Sequence, residues 1–578
     1  MKLKNRDVAR IFNEVADLLE IKGENPFRIR AYRRAAQNIE GLSKDVAEMP
    51  REEILKLPGI GEDLAGKIYE IVNTGSLGVY EELKGEVPEG LSALLSVPGL
   101  GPKTAKLLYE KLRVKGIEDL ERLAKAHKLV GLPGIKEKTE DNILKGIGLL
   151  KRARERLPLG RALPLAEDIL NHLRERAPVD ELRLAGSIRR WKETIGDIDI
   201  LAVSKDPRKV MNAFVHLPHV RDVLMKGPTK SSVMLEDAIQ VDLRVVEKNS
   251  FGAALAYFTG SKAHNIKLRE MALKRGLKLN EYGIFDENEK KLGGEQEDDI
   301  YGVLGLQYIQ PELREDTGEI EAAAEKKLPK LIELKDIKGD LHVHTKRSDG
   351  SHTLEELVFA AKKKGYAYIA VTDHSKGLGI ARGLTEEKVI EEMNEIDALN
   401  KKLRGFRILK GTEVDIRSDY TLDYPDELLS KLDIVVASIH SGFRQPKEKL
   451  TGRLISAMKN PYVTVIAHPT GRLIGERDAY ELNMEDVLKA AQKTGTALEI
   501  NAYPLRLDLN DIYARRAHEM SIPVVISTDT HIIGQMDYMV YGVSIARRAW
   551  LEKNDVLNTL GLAHLLKALG SKTRAVTN

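Results

Sequence analysis

Two groups of residues in this sequence have the types and spacing for metal-dependent phosphate chemistry. The first lies in the segment GSIRRWKETIGDIDI, residues 186–200. Asp197 and Asp199 stand two apart in a β-branched run, and alternate side chains of a strand share a face. Asp242, in the strand-like QVDLRVV, can add a third carboxylate from a neighbouring strand. Three such carboxylates suit Mg²⁺, which takes hard oxygen ligands and shares them with substrate phosphates. They can hold two ions about 3.5–4 Å apart, the spacing that clamps an in-line displacement. Upstream, Gly186-Ser187 opens a predicted helix whose N–H groups, with Arg190, can meet a triphosphate. A lone Asp-x-Asp is most often a solvated strand edge. Gly-Ser, Gly196-Asp197-x-Asp199 and Asp242 together favour nucleotidyl transfer.

The second group is C-terminal. Nine of the 14 histidines lie beyond residue 310. His342, His344, His374, His440, His468 and His531 sit at or near the ends of apolar runs, accompanied by Asp349, Glu413 and Asp529. A single strand-end histidine is usually structural, but a set of this size is not coincidence. It exceeds what one metal takes and argues for two or three ions. Imidazole with carboxylate suits Zn, Mn or Fe. His352, His518 and His564 fall on predicted helices or turns and read as ordinary structural histidines.

An alternation of strands and helices must position that second group. Strands are predicted at 340–344, 367–373, 407–414, 433–440, 463–468, 497–501 and 523–529, with helices between them, as at 353–364 and 385–402. That rhythm implies a parallel sheet, open or closed into a barrel. In a barrel, ligands at successive strand C-termini converge on one face. The first group requires a mixed α/β sheet, with strands in 181–186, 197–203 and 238–246 and a helix over 263–275. The stretch 311–338 is charged, contains Ala-Ala-Ala and Pro, and reads as a linker or connecting helix.

Residues 1–150 carry one pattern three times: LPGIGEDLAGKI (57–68), VPGLGPKTAKLL (97–108) and LPGIKEKTEDNIL (132–144). A Pro-Gly-x-Gly turn opening a helix offers backbone N–H groups to a phosphate, and the trailing lysines add charge. Nothing in the pattern reads bases, so contact with DNA backbone would be independent of sequence. One such turn needs no function beyond closing a helix pair; three with lysines favour DNA. Gly59, Gly61, Gly99, Gly101, Lys103 and Gly134 are the expected contacts. The pattern resembles the helix–hairpin–helix motif, although Lys136 replaces the second glycine of the third copy.

The 578 residues are 42% hydrophobic and 31% charged, with net charge +3 and no cysteine. That length suggests several domains. Without cysteine there is no disulfide framework and no thiolate metal site, so any metal must be held by His, Asp and Glu. No apolar run approaches the roughly 18 residues that span a bilayer, and the N-terminus lacks a signal-peptide stretch. A cytoplasmic, nucleoid-associated protein with no membrane partner is expected.

Gly186-Ser187-x-Arg189-Arg190, Gly196-Asp197-x-Asp199, Tyr257-Phe258-Thr259-Gly260-Ser261 and Leu279-Asn280-Glu281-Tyr282-Gly283 occur in that order. Together they resemble the family-X DNA polymerases, the group that includes DNA polymerase beta. The resemblance implies that Asp197, Asp199 and Asp242 bind two metal ions, Mg²⁺ or Mn²⁺. Asp242 would also help activate the primer 3′-hydroxyl. Gly186, Ser187, Arg190 and Gly196 would contact a deoxynucleoside triphosphate. Tyr257, Phe258 and Gly260 would line the sugar pocket, and Asn265 and Arg269 would contact the new base pair. Lys67 matches the Schiff-base lysine that removes a 5′-deoxyribose phosphate, though Asp63 stands where a supporting lysine is usual, and Lys67 reads equally well as a plain phosphate contact. Trp191 departs from the pattern, which has Gly after Arg-Arg. The C-terminal set resembles the polymerase and histidinol phosphatase (PHP) domain, with all nine trinuclear-site positions present. Such sites hydrolyse phosphoesters.

The implied architecture is multi-domain α and α/β. It comprises a lyase-like helical domain (1–85), a helix–hairpin–helix domain (86–158), a nucleotidyltransferase palm with a mixed sheet (159–250), a nucleotide-selecting domain (251–312), a linker (313–337) and a distorted (β/α)7 barrel (338–578). The implied function is filling of short gaps in base excision repair or end joining, on gapped or nicked DNA, by a monomer. A 3′-to-5′ exonuclease would reside in the barrel, with 3′-phosphatase or AP endonuclease activity besides. Two other readings compete: a small-molecule phosphoester hydrolase resembling histidinol phosphatase, and an inactive DNA-end scaffold.

Overall fold

In a computed structural model, the description covers residues 5–576 except 41–45, 56, 58–59, 87–93, 95–96, 98–99, 101, 138, 142, 145–146 and 148–155. The chain divides into two compact units: Met1–Leu157 with Leu165–Ser187 and Thr194–Leu304, and Pro158–Pro164 with Ile188–Glu193 and Gly305–Asn578. Among the described residues no helix is long and apolar enough to cross a membrane.

The first unit begins with helices Asn5–Lys22 and Pro26–Glu40. Val8, Phe12, Val15 and Leu19 recur at helical spacing and are buried along one stripe. Phe12 meets Tyr32 edge-on, with ring centroids 5.4 Å apart. The same apolar core continues through helix Glu62–Thr74 and on to Ile147.

A five-stranded sheet follows, made of β1 (Glu181–Leu184), β2 (Asp197–Val203), β3 (Val220–Lys226), β4 (Lys230–Leu235) and β5 (Gln240–Val246), in the order β1-β2-β5-β4-β3. Only β2 and β5 run parallel. Strand β5 alternates half-buried and buried residues, the mark of a sheet covered on one face. Beyond it lie helices Phe251–Thr259 and Lys262–Lys274, a three-stranded antiparallel sheet within Lys278–Gly293, and helix Glu297–Val303.

The second unit holds seven parallel strands in sequential order: β6 (Gly339–Val343), β7 (Tyr368–Val371), β8 (Arg407–Asp415), β9 (Ile434–Ser438), β10 (Val465–Ile466), β11 (Ala497–Asn501) and β12 (Val524–Ser527). A parallel bridge between Val343 and Thr530 brings the first strand against the end of the last, so the sheet curls into a nearly closed barrel. One apolar cluster takes a residue from each strand: Leu341, Ala370, Leu409, Val436, Val465, Ala497 and Val525. Side chains from all seven strands can meet only inside the curl, and Leu565 and Leu569 of the C-terminal helix join them. The β6–β7 register slips between Asp340 and Val343. Such a bulge re-aims side chains, here on the strand carrying His342.

The stretch 313–337 departs from the linker expectation. It belongs to the second unit, with Leu313, Arg314, Asp316, Glu319, Ile320 and Ala323 buried. Its buried charges have partners both within the stretch and outside it. Glu319 accepts the N–H groups of Asp316 and Thr317 at 2.9 and 2.7 Å, and Arg314 Nε donates to the Ile309 carbonyl at 2.8 Å. Paired charges of this kind look like solvent-facing linker in a sequence.

Candidate active sites: a palm carboxylate triad and a barrel metal centre

The parallel pairing of β2 with β5 sets Asp199 directly opposite Asp242, and Asp197 opposite Gln240. With a strand period of two, Asp197 lies on the same face as Asp199. All three carboxylates therefore belong to one patch of the sheet. Gln240 Nε2 donates to Asp242 Oδ1 at 2.8 Å and orients it. Gly186 packs against this patch with φ +62°, and a Cβ there would stand 2.3 Å from Asp199 Oδ2. Only glycine fits such a position. The neighbouring Ser187 has a buried hydroxyl with no hydrogen-bond partner among the described residues. A buried polar group without a partner is costly, and a ligand oxygen would relieve that cost.

Other members of the first predicted set are more dispersed. Gly196 is exposed, and Arg156 lies over it, held by Nε to Thr194 Oγ1 at 2.9 Å and Nη2 to Thr194 O at 2.6 Å. Sequence reading missed Arg156, which carries no motif. Tyr257 and Phe258 meet edge-on at 5.1 Å, and the Arg244 guanidinium lies 4.5 Å above Phe258. Gly260 ends their helix at φ +70°. Asn265 Nδ2 donates to the Tyr257 carbonyl at 2.6 Å, which ties the two helices at the predicted sugar pocket. Arg269 is exposed on the same helix. Arg190 belongs to the second unit, where its Nε donates to Glu315 Oε1 at 3.0 Å.

In the barrel the nine predicted ligands converge. His344, Asp349, His374 and His531 form one group with mutually close ligand atoms, His342, His344 and Asp529 a second, and His374, Glu413 and His440 a third. Sharing His344 and His374 fuses the three into one centre. Glu413 is its hub, with His374 Nδ1 at 2.9 Å, His468 Nε2 at 3.0 Å, His440 Nε2 at 3.2 Å and His342 Nε2 at 3.3 Å. Asp529 lies 3.2 Å from His344 Nε2, and Asp349 lies 3.2 Å from His531 Nε2.

Burial disfavours charge throughout this centre, yet the imidazoles around Glu413 and Asp529 hold both carboxyls well below their usual range. Against the same burial, Glu413 and Asp349 push His374 up to about 10. Burial, then its neighbours His374 and His531, push His344 down to about 4. His342 Nε2, both ring nitrogens of His344, His374 Nδ1 and Glu413 Oε2 are buried without hydrogen-bond partners among the described residues. Clustered imidazole nitrogens and carboxylate oxygens with unmet bonding capacity are the donor set of a divalent-metal centre.

Four further residues support the ligands. Glu499 Oε1 lies 2.7 Å from His342 Nδ1, and its Oε2 accepts the His468 N–H at 2.7 Å. Asp373 accepts from Thr345 N at 2.7 Å and Ser348 Oγ at 2.6 Å, and so fixes the loop between His344 and Asp349. Asp415 Oδ1 accepts the His440 N–H at 3.2 Å, and Arg506 Nε lies 3.6 Å from Asp529 Oδ2. Carboxylates that hold metal-binding histidines in orientation commonly tune the site as much as the ligands do.

Family models match four stretches of the chain: a helix-hairpin-helix domain at 3–77, a SAM-like helix-hairpin-helix tandem at 91–148, the DNA polymerase beta thumb at 254–315 and the PHP domain at 340–503. DNA polymerase/3'-5' exonuclease PolX of Bacillus subtilis (strain 168) is 42% identical over 567 residues, covering 97% of this chain and 98% of that protein. The chain belongs to the PolX family of DNA polymerase/3'-5' exonucleases. DNA polymerase lambda of Rattus norvegicus is 26% identical over 344 residues, 54% of this chain and 56% of the relative. A probable phosphatase of Thermoanaerobacter sp. (strain X514) is 32% identical over 231 residues, 38% of this chain and 89% of the relative.

The helix–hairpin–helix regions of this PolX-family chain, which imply DNA binding, share a backbone device. The N–H of Ile60, Leu100 and Ile135 donates to the carbonyl of Leu57, Val97 and Leu132 at 3.1, 3.0 and 2.9 Å. Each bond closes the turn while its buried apolar residue anchors it. Gly61 is the exposed N-cap of helix Glu62–Thr74, and Gly134 is exposed at φ +83°. Lys103 falls in helix Pro102–Leu112, whereas Gly59, Gly99 and Gly101 lie outside the described residues.

Lys67 bonds Asp63 one turn back on its helix and lies 5.3 Å from the Tyr32 ring centroid. Burial lowers its pKa, but the bonds to Asp63 and Tyr32 outweigh that and leave it raised. A Schiff-base nucleophile needs the opposite shift.

Proposed function

We propose that this chain fills short gaps in gapped or nicked DNA during repair, in base excision repair or end joining, and trims 3′ ends in its barrel. The observation that carries this reading is the coexistence, on a chain of the PolX family, of the Asp197–Asp199–Asp242 patch and the complete nine-residue barrel centre.

In the palm, Asp197, Asp199 and Asp242 would hold two Mg²⁺ or Mn²⁺ ions, which supply charge neutralisation for phosphoryl transfer. The chain's own part is alignment. Asp242, oriented by Gln240, accepts the proton of the primer 3′-hydroxyl. The Ser187 hydroxyl, the Gly186 and Gly196 backbone and Arg190 receive the triphosphate. Tyr257, Phe258 and Gly260 line the sugar pocket, and Asn265 and Arg269 meet the nascent base pair. Lys67, Lys103 and the three turns hold DNA backbone, with Lys67 placed to serve as a phosphate contact or as the lyase nucleophile.

In the barrel, two or three Zn²⁺, Mn²⁺ or Fe ions would be held by His342, His344, Asp349, His374, Glu413, His440, His468, Asp529 and His531, and supply water activation. Glu499 and Asp373 keep these ligands in place. The functional divisions follow 1–85, 86–158, 159–250, 251–312 and 338–578, with 313–337 joining the last two. The protein acts as a cytoplasmic, nucleoid-associated monomer.

The test is a gapped-DNA assay of extension and degradation with Mg²⁺ and with Mn²⁺. Asp242→Ala should lose about 10³-fold or more of extension, the scale of a missing transition-state charge stabiliser, and keep degradation. His440→Ala should do the reverse. An Asp242→Ala protein that still extends primers refutes the palm assignment.

A further inference from the structure

Residues Ile188–Glu193 follow the Gly186-Ser187 turn and carry Arg190, yet they belong to the unit that contains the barrel. Barrel residues hold this short loop at several points. Arg548 is 3% exposed in its side chain. Its Nη1 donates to the Arg190 carbonyl at 2.8 Å and to Glu315 Oε1 at 3.1 Å. That same carboxylate oxygen receives Arg190 Nε at 3.0 Å. Arg548 is itself gripped from behind, with Nε and Nη2 donating to Asp511 Oδ2 at 2.8 and 2.5 Å. At the loop's other end, Arg472 Nη1 and Nη2 pair with Glu193 Oε1 and Oε2 at 3.2 and 2.7 Å. Between the two, Trp191 meets Tyr541 edge-on at 6.2 Å.

None of these residues is among the barrel's metal-binding set. The Arg472 guanidinium is taken up by Glu193 and by the carbonyls of Arg506 and Leu507. Asp511 alone would neutralise Arg548, so hydrolysis in the barrel does not explain why Arg548 also bonds the Arg190 backbone and the carboxylate that grips Arg190. An arginine side chain free in water loses several rotors when it meets a phosphate, and fixing it beforehand removes that cost.

We propose that Arg548 and Arg472, on the barrel, are positioning residues for the polymerase, fixing the 188–193 loop so that Arg190 is presented to the incoming triphosphate. The inference rests on the reading above that Arg190 contacts the triphosphate.

The test uses the full-length protein in single-nucleotide insertion on gapped DNA with Mg²⁺, with degradation of single-stranded DNA as the second readout. Arg548→Met should raise the KM for the deoxynucleoside triphosphate about tenfold, the equivalent of one charge-assisted hydrogen bond, with kcat and degradation within about twofold of wild type. Arg548→Lys should restore part of that loss. Asp511→Asn, which leaves the Arg548 and Arg472 hydrogen bonds to the loop in place and weakens the grip behind Arg548, should shift KM in the same direction by less. Arg190→Ala serves as the reference. If Arg190→Ala raises KM while Arg548→Met and Arg472→Met do not, the inference is overturned and the triphosphate reading stands. If Arg190→Ala leaves KM unchanged, both are overturned. Equal losses of insertion and degradation in Arg548→Met and Asp511→Asn mean a general structural role and also overturn it.

Discussion

The palm and the barrel both gather carboxylates, but they place them in opposite surroundings. Asp197 is exposed and Asp199 and Asp242 are half-buried, whereas His342, His344 and Glu413 are each at most 1% exposed. An open, all-oxygen patch can share its cations with a substrate that arrives and leaves with every turnover. A closed centre cannot afford unmatched charge, since each buried ion costs several kcal/mol. Its carboxylates are accordingly ringed by imidazoles, and its histidines are fixed in turn by Glu499 and Asp415. The palm patch leaves its carboxylates open, and the barrel surrounds its own with imidazole.

Substitutions that disturb each centre without removing a ligand can break or sharpen that contrast. Gly186→Ala should have the largest effect, because its methyl would enter the Asp199 carboxylate. Extension should fall about 10²-fold, as expected for a small displacement at a reacting centre, with degradation unchanged. Equal loss of both would show that Gly186 serves folding alone. In the barrel, Glu499→Gln should raise the Mn²⁺ concentration needed for half-maximal degradation by about 10–100-fold and leave extension untouched. A wild-type Mn²⁺ titration would mean that the buried carboxylate contributes only packing.

A third test concerns acid. Burial raises the Glu315 pKa, but Arg548, Arg190 and Lys192 together hold it down to about 2 from 4.5. The folded value is depressed, so the stabilisation is fully present above pH 4.5 and is lost as pH falls through about 2. At full difference it amounts to about 3 kcal/mol. Both tryptophans, Trp191 and Trp550, belong to the second unit, so their fluorescence reports its unfolding in urea. Glu315→Gln should flatten the loss of midpoint between pH 5 and pH 3; a slope equal to wild type refutes the pairing. The smallest effect is expected at Lys67. Lys67→Ala should weaken binding of gapped DNA about threefold and change neither catalytic rate. Efficient borohydride trapping of a 5′-deoxyribose phosphate on Lys67 at neutral pH would contradict its raised pKa.

The barrel was largely legible in the sequence. Its strands are short and buried on both faces, and several of them stop just short of a predicted ligand, as Val343 before His344, Ser438 before His440 and Ser527 before Asp529, so hydrophobic runs and candidate ligands mark the same boundaries. The pairing of Asp199 with Asp242 was legible for a related reason: each carboxylate interrupts an apolar strand, and the two strands lie side by side. Glu499 gave the same signal, a charge within the buried run ALEIN, and was passed over because it ends no motif. The role of Glu315 had no local trace. It meets Arg190 across 125 positions, and its surroundings read as charged linker. Long-range pairing of charges leaves no periodicity behind, and so the burial within 313–337 was not legible.

The bond from Arg548 to the Arg190 carbonyl spans 358 positions. A ribosome adding roughly 5–20 residues per second takes tens of seconds to cover that distance. The carboxylate patch and the helix–hairpin–helix turns are complete well before then, but the loop that carries Arg190 waits for nearly the last helix to emerge. His531, the last member of the barrel cluster, appears in the same late interval. On the roles proposed for Arg190 and His531, a nascent chain gains its hold on nucleotide and its means of trimming almost together, and a prematurely terminated chain would lack both.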